Sequence, residues 1–382
     1  MTTSARVDKV DVVVVGGGPA GTAAALTLLK YSTLRVAIVE RSNYQRWRVG
    51  ESLSPGATGL LRYLGAWEAF ASQGHLPSYG TSAAWGSPDI VARDFLFAGH
   101  GMAWHLDRRS FDAALARLVS ERGGSLITNA VVERGARNPD GWCLGIRCDT
   151  TPNRVELHAR FVIDASGKQA IFARRNGAKA RIGDNLVGIV SFYSFPGNQP
   201  CDSFTLVEAH PLGWWYSALL PEGRMAVAFM SDSDVIRRYR LQQREPWLEL
   251  LTSSRHTWTR IRGGVQESGP SVYPAYSQIL DKIAGDGWVA AGEAAAGFDP
   301  LSSMGIGYAL ASGIEAARAV HNALTGDGRH MPCYTASVAR HYASYRARQQ
   351  QYYSMEQRWP DSPFWARRRA TPRVSRSILI DG

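Results

Sequence analysis

Gly16, Gly18 and Gly21 fall in the spacing G-x-G-x-x-G, with Pro19 and Ala20 between the last two. The chemistry open to such a loop is phosphate binding. The first glycine permits a tight turn, the second lets backbone approach a pyrophosphate, and the third lets a helix pack against a strand. Downstream, Glu40 stands where a carboxylate can accept hydrogen bonds from ribose hydroxyls. The elements that must position these groups are legible around them. Val12 to Val15 is an unbroken β-branched run, the pattern of a parallel strand buried on both faces. A helix is expected over 19–30, its free N–H groups and partial positive charge facing the phosphates. A second strand over 34–39 then ends at Glu40. Strand, glycine loop, helix and acid together predict a bound dinucleotide.

The other chemistry-bearing residues sit at the ends of later elements. Arg41, Arg46 and Arg48 can pair with phosphates or with Glu51 in Val49-Gly-Glu-Ser-Leu53. A helix is expected over 55–70, short strands over 85–105, and a further helix capped by Asp107 or Ser110. Strands over 126–134 and 145–148 flank the turn Asn138-Pro-Asp-Gly141. Phe161-Val-Ile-Asp164-Ala-Ser-Gly167 repeats the strand, acid and glycine-turn logic of the first loop. From 187 to 231 the pattern is antiparallel β, with Pro221-Glu-Gly-Arg224 as a hairpin turn. Trp214 and Tyr216 share one face of their strand and Trp215 takes the other. A helix over 235–253 follows. The last motif holds Gly292-Glu293, Asp299-Pro300 and Ser303-Met304-Gly305, and leads into a helix over 305–324. Beyond Met331 the chain reads as helical to about Arg358, then as a loosely held tail with an Arg-rich run from Arg367.

At 382 residues the chain is long enough for two domains. No window approaches the roughly 18 apolar residues of a membrane span, and the N-terminus lacks a signal-peptide pattern, so a cytoplasmic protein is expected. Cys143, Cys148, Cys201 and Cys333 show neither C-x-x-C nor metal-ligand spacing, and no metal site is predicted. The net charge is +10, but five of the 43 basic residues are lysines and the arginines are dispersed. No nucleic-acid module accompanies them, so nucleic acid is not the expected partner.

Taken in order, the glycine loop with Glu40, Asp107-Arg108, Asp164-x-x-Gly167, and Gly292-Glu293 before Asp299-Pro300 resemble the FAD-dependent monooxygenases of the aromatic-hydroxylase type. Val49 to Leu53, Gly101-Met-Ala-Trp-His-Leu-Asp-Arg108 and Phe298-Asp-Pro-Leu-Ser-Ser-Met-Gly305 are similar to the tryptophan-halogenase-like branch. Within that branch the chain most resembles the maturation flavoproteins of quinone-cofactor oxidases, of the glycine oxidase and lysine ε-oxidase types. Those proteins oxygenate a tryptophan inside a polypeptide. The resemblance implies an α/β fold in three parts. A discontinuous Rossmann-like FAD-binding domain is expected over 1–80, 105–185 and 273–330. An antiparallel β-sheet substrate domain is expected over 81–104 and 186–272, and a C-terminal helical, Arg-rich tail over 331–382.

By the same resemblance, FAD contacts fall to Gly16, Gly18, Pro19, Ala20, Gly21, Glu40, Arg41, Arg48, Arg108, Asp164, Gly167, Gly292, Glu293, Pro300, Ser303, Met304 and Gly305. Glu40 would take the adenosine ribose, Arg108 the pyrophosphate region, and Glu293, where the family usually has Asp, the ribityl chain or pyrophosphate. The turn from Pro300 to Gly305 would offer N–H groups to the pyrimidine edge of the ring. The implied activity is oxygen transfer from a flavin C4a-hydroperoxide to an electron-rich aromatic ring, foremost the indole of tryptophan in a peptide or protein precursor. Glu51, His105 and His210 are candidates to move protons, and Trp214 and Tyr216 to stack on the substrate. With a single dinucleotide fingerprint, electrons are expected from NAD(P)H directly or through a partner flavin reductase.

Halogenases of this branch use a lysine after Val-Gly-Glu, and no lysine lies between Lys30 and Lys168. Their carboxylate before the last turn is Ser302 here, and their Trp-x-Trp-x-Ile-Pro signature becomes Trp214-Trp-Tyr-Ser-Ala-Leu-Leu-Pro221. All three departures argue against chlorination. A small-molecule oxidase or reductase, and a non-catalytic maturation scaffold that only holds its precursor, are the other readings.

Overall fold

A computed structural model describes residues 7–95, 99, 101–149, 155–196 and 202–369. The β-branched run lies at the centre of a sheet: in β1 (Val7–Val15) Val12, Val13 and Val14 have no exposed surface. The glycine loop leads into α1 (Pro19–Tyr31), and β2 (Val36–Val39) pairs parallel to β1. The helix expected over 55–70 is two helices, α2 (Ala57–Tyr63) and α3 (Trp67–Ala71). Gly65, at φ +63°, turns the chain between them, a left-handed conformation that ends a helix. After β3 (Gly80–Ala84) and β4 (Val91–Asp94), α4 (Arg108–Glu121) begins at Asp107, whose carboxylate accepts from the N–H groups of Arg109 and Ser110. Then come β5 (Ser125–Ile127), β6 (Ala130–Asn138), β7 (Gly141–Cys148) and β8 (Val155–Asp164).

The second sheet is built from β9 (Leu186–Ser194), β10 (Thr205–His210), β11 (Gly213–Leu220) and β12 (Arg224–Asp232). Its central order is β9, β12, β11, β10, β3, β4, antiparallel except for β10 against β3. Alternation along β11 holds: Trp215 packs with Phe229 and Trp247 on one face, while Trp214 and Tyr216 join the core on the other. The Trp215 face is covered by α5 (Ser233–Tyr239), α6 (Arg244–Thr252) and α7 (His256–Ile261). A single helix was expected over 235–253; Arg240, at φ +51°, breaks it.

β13 (Trp288–Ala290) completes the first sheet, whose parallel order is β13, β8, β1, β2, β5. The described residues end in α8 (Gly305–Leu324), α9 (His330–Met355) and α10 (Pro363–Arg369). No helix among the described residues is long and apolar enough to cross a membrane.

The expectation of a loose tail after Arg358 is corrected as far as Arg369. Phe364 and Trp365 are fully buried against the second sheet, and the Trp365 indole N–H donates to the His210 carbonyl at 2.9 Å. Arg367 and Arg368 pair with Asp232, and Arg367 also with Asp234. A sheet with one helix-covered face needs cover on the other, and these aromatics supply part of it. The arginines beyond residue 369 lie outside the described residues. Trp365→Ala is therefore expected to cost about 3–5 kcal/mol in a denaturant titration. An unchanged midpoint would mean that the tail is not docked.

Candidate functional site

The C-terminal ends of β1, β2 and β8, the start of α8 and one face of the second sheet surround a cleft of about 1040 Å³. In the glycine loop each residue has a separate task. A Cβ on Gly16, at φ +104°, would lie 2.4 Å from the Ala165 carbonyl oxygen, and one on Gly21 would lie 1.9 Å from that of Gly16. On Gly18 it would meet nothing within 4 Å, because that position faces the cleft. No side chain caps the N-terminus of α1, so its N–H groups remain available to an anion.

Glu40 is buried beside the loop. Its Oε2 accepts from Gly17 N–H at 2.7 Å, and its Oε1 accepts from Ser42 and Arg48. Oε2 keeps a lone pair for a ribose hydroxyl. Arg48, expected at the phosphates, instead bridges Glu40 and Asp112 at 3.0 and 2.7 Å. Arg108 also pairs with Asp112, at 3.0 Å, and donates to the carbonyls of Val49 and Gly50. A fully buried carboxylate needs cationic partners, and Asp112 takes both arginines. Both still border the cleft, where they fix the segment 48–50; Arg41 lies exposed on the rim.

Asp164 is likewise corrected from ligand contact to turn support. It is fully buried, accepts from Ser166 N–H and hydroxyl and from Ala173 N–H, and burial raises its carboxyl above the ordinary range. The residues it holds, Ser166, Gly167 and Lys168, reach the cleft. Lys168 pairs with Glu293 at 3.2 Å and donates to the Tyr276 carbonyl at 2.9 Å. Gly292, at φ +62°, donates its N–H to Ser312 and is not on the cleft wall. Pro300, Ser303 and Gly305 are on that wall. Met304 faces a separate cavity of about 320 Å³ between α2, α8 and α9.

What holds this last turn comes from distant residues that local patterning does not reveal. Asp299 is buried and accepts from Leu301 N–H, from Gln349 at 2.8 Å and from the Tyr353 hydroxyl at 2.7 Å; its own N–H donates to Tyr345. Tyr353 in turn accepts from the Trp214 indole N–H at 3.0 Å. Trp214 has no exposed surface, so it anchors α9 rather than lining the cleft. Tyr216 does line it, with its hydroxyl 2.8 Å from that of Ser52. Around it Gly188, Val190, Ala226, Ala228 and Met230 form a wall of small and apolar side chains.

Of the three proton-transfer candidates, one reaches the cleft. His105 is fully buried against Thr205 and His210 packs edge-on to Phe229; burial lowers each to about 4, and neither borders the cleft. Glu51 borders it, buried, with Oε1 lacking a hydrogen-bond partner among the described residues and burial raising its carboxyl. The His105 placement carries a pH consequence. Its folded value is depressed, so the unfolded chain takes up the proton first. Stability present above the unfolded value near 6.5 falls as pH drops toward about 4, by up to about 3 kcal/mol for this group. Denaturant titrations across that range should show the decline and His105→Gln should make it shallower, His210 still contributing its share; parallel curves would contradict the placement.

Away from the cleft, Cys143, Glu156 and His158 bring ligand atoms within 4.8 Å of one another across β7 and β8. Strand pairing makes this grouping, which linear spacing does not show. The Cys143 thiol donates to Glu156, which raises it above the ordinary range and so disfavours the thiolate a metal would need, while Arg134 is a nearby cation that opposes another.

These residues fit FAD. The open position at Gly18, the uncapped starts of α1 and α8, and the free lone pair of Glu40 suit two phosphates, a ring edge and a ribose respectively. Gly18, Glu40, Gly167, Glu293 and the Pro300–Gly305 turn would hold it.

The tryptophan halogenase family matches residues 11–77 and 88–378. A protein of Marinomonas mediterranea named as an FAD-dependent oxidoreductase, LodB, is 31% identical over 369 residues, covering 95% of this chain and 98% of LodB. Tryptophan 2-halogenase of Chondromyces crocatus is 26% identical over 328 residues, 83% of this chain and 62% of that protein. Among solved structures, the myxobacterial FAD-dependent halogenase CndH superposes with a TM-score of 0.88 at 22% identity, over 96% of this chain and 87% of CndH. The peptidyl tryptophan dihydroxylase QhpG does so with 0.71 at 23%, over 95% and 79%. The chain belongs to the tryptophan halogenase family, as a flavin-dependent enzyme of the monooxygenase type.

Proposed function

We propose that the chain hydroxylates the indole of a tryptophan residue in a peptide or protein precursor. The FAD-binding part takes residues 1–80, 105–185 and 273–330, and the second sheet offers the substrate wall. Electrons come from NAD(P)H, directly or through a partner flavin reductase. Bound FAD supplies the activation of O2 for transfer to an electron-rich ring. The chain's own residues do the rest. The wall of Val190, Ala226, Ala228 and Met230 keeps water from the reacting centre, and burial on the cleft wall favours the protonated carboxyl of Glu51 as the proton donor.

The observation that carries oxygenation over halogenation is Ser302. Where the halogenases have a carboxylate, its hydroxyl donates to the Asp299 carbonyl at 2.8 Å and closes the turn. Lys168, the lysine on the cleft wall among the described residues, is already engaged by Glu293 and Tyr276. The peptide substrate named for QhpG, on the same fold, supports a polypeptide substrate. Halogenation is the second reading, favoured by the activity named for Tryptophan 2-halogenase and CndH. Aerobic turnover of a tryptophan-containing peptide with and without bromide separates the two. Oxygen gain that is indifferent to bromide is expected; a brominated product would move the assignment to halogenation.

A further inference from the structure

Trp47 is the tryptophan on the cleft wall among the described residues. An enzyme that oxygenates indoles thus carries an indole of its own on the wall of the same cleft. Its surroundings are unusual. The Arg109 guanidinium carbon lies 3.5 Å from the centre of the Trp47 ring, and that of Arg224 lies 3.7 Å from it. Two guanidinium groups this near one centre cannot share a face, so the ring is covered on both sides. Phe192 sits against it at 5.5 Å. Each arginine is held from behind, Arg109 by Asp107 at 3.2 Å and Arg224 by Glu267. The Nε of Arg109 is buried with no hydrogen-bond partner among the described residues, as expected of a group whose neighbour is a ring face.

We propose that the Arg109–Trp47–Arg224 stack is a shield that keeps the enzyme from oxygenating its own cleft tryptophan. The inference rests on the monooxygenase reading above. Electrophilic oxygen approaches an indole over its face, and the ring gains positive charge as the bond forms. Two cations in contact with both faces block that approach and repel that charge. The reaction prevented is the insertion of one atom of O2 into a ring C–H bond of Trp47, giving C–O–H. The second atom leaves as water, and NADH is oxidised to NAD⁺.

The test is substrate-free aerobic turnover of the FAD-loaded protein with NADH and a flavin reductase. Denaturation and cleavage after Glu40 and Glu51 then release segment 41–51 for mass spectrometry. Wild type is expected to stay unmodified. The R109A/R224A double variant is expected to gain one oxygen in that segment at least about tenfold more, the order of effect of losing a desolvated cation–π contact. R109Q/R224Q, which keeps bulk but not charge, guards against misfolding of the first variant, and adding Trp47→Phe should abolish the gain. Equal modification of wild type and variants would overturn the shield. So would an unmodified segment in variants that still hydroxylate a tryptophan peptide. If neither peptide nor segment gains oxygen, the monooxygenase reading fails and the shield with it. Oxygen in the variant segment without peptide hydroxylation would keep the shield and overturn only the choice of substrate.

Discussion

Gly18→Ala is expected to leave the fold intact and to lower FAD affinity by about two orders of magnitude, equivalent to about 3 kcal/mol. The backbone there, at φ −77°, accepts alanine without strain, and the new methyl would meet no protein atom within 4 Å. What it would meet is the phosphate-bearing ligand. Gly21→Ala is the contrasting case. Its methyl would lie 1.9 Å from the Gly16 carbonyl oxygen, inside the packing of α1 on β1. That variant should lose about 1–3 kcal/mol of stability before any question of ligand arises. Bound-flavin absorbance and thermal unfolding, measured on both, separate the two effects. Wild-type flavin occupancy in Gly18→Ala would remove the dinucleotide from this cleft.

Glu51→Gln is expected to keep FAD and to lower hydroxylation by about 10²–10⁴-fold, the range for losing a positioned acid or base. Burial favours the neutral carboxyl, and the backbone N–H groups of Glu51 and Gly50 and the charge of Arg108 offset that only in part. The sign of the pH dependence follows. Activity that needs the acid form is present at low pH and lost as pH rises through the elevated folded value, and the Gln variant lacks that limb. The folded state also resists ionising this group, a cost that grows as pH rises above the unfolded value. Glutamine removes the cost, so the variant should unfold no earlier than wild type near neutral pH. Lost stability together with lost flavin would mean a structural role instead. Full activity would remove Glu51 from the chemistry.

The two variants probe residues that were readable from local sequence. Gly16, Gly18 and Gly21 announce their roles because each answers a steric demand within a few residues. Asp107 is legible as a cap and β11 as an alternating strand for the same reason. What failed depended on distant partners. Arg48 looked like a phosphate ligand until Asp112, brought in by α4, claimed it. Trp214 shares the face of Tyr216 as alternation requires, yet Tyr353 from α9 accepts its indole N–H and Trp85 packs edge-on against its ring. The breaks at Gly65 and Arg240 are single left-handed residues inside otherwise helical patterns, and periodicity averages over them. The docking of α10 rests on Phe364 and Trp365, two apolar residues in a stretch that composition marked as basic and open.

Isotopic labelling shows whether O2 in this cleft ends in a tryptophan ring. The FAD-loaded protein, a reductant and a tryptophan-containing peptide are mixed under ¹⁸O-labelled O2, and the product is fragmented in a mass spectrometer. The account predicts ¹⁸O on the indole, none when the label is placed in water instead, and no halogen in buffers containing chloride or bromide. Label from water, a halogenated ring, or a product altered by hydrogen alone would each contradict it.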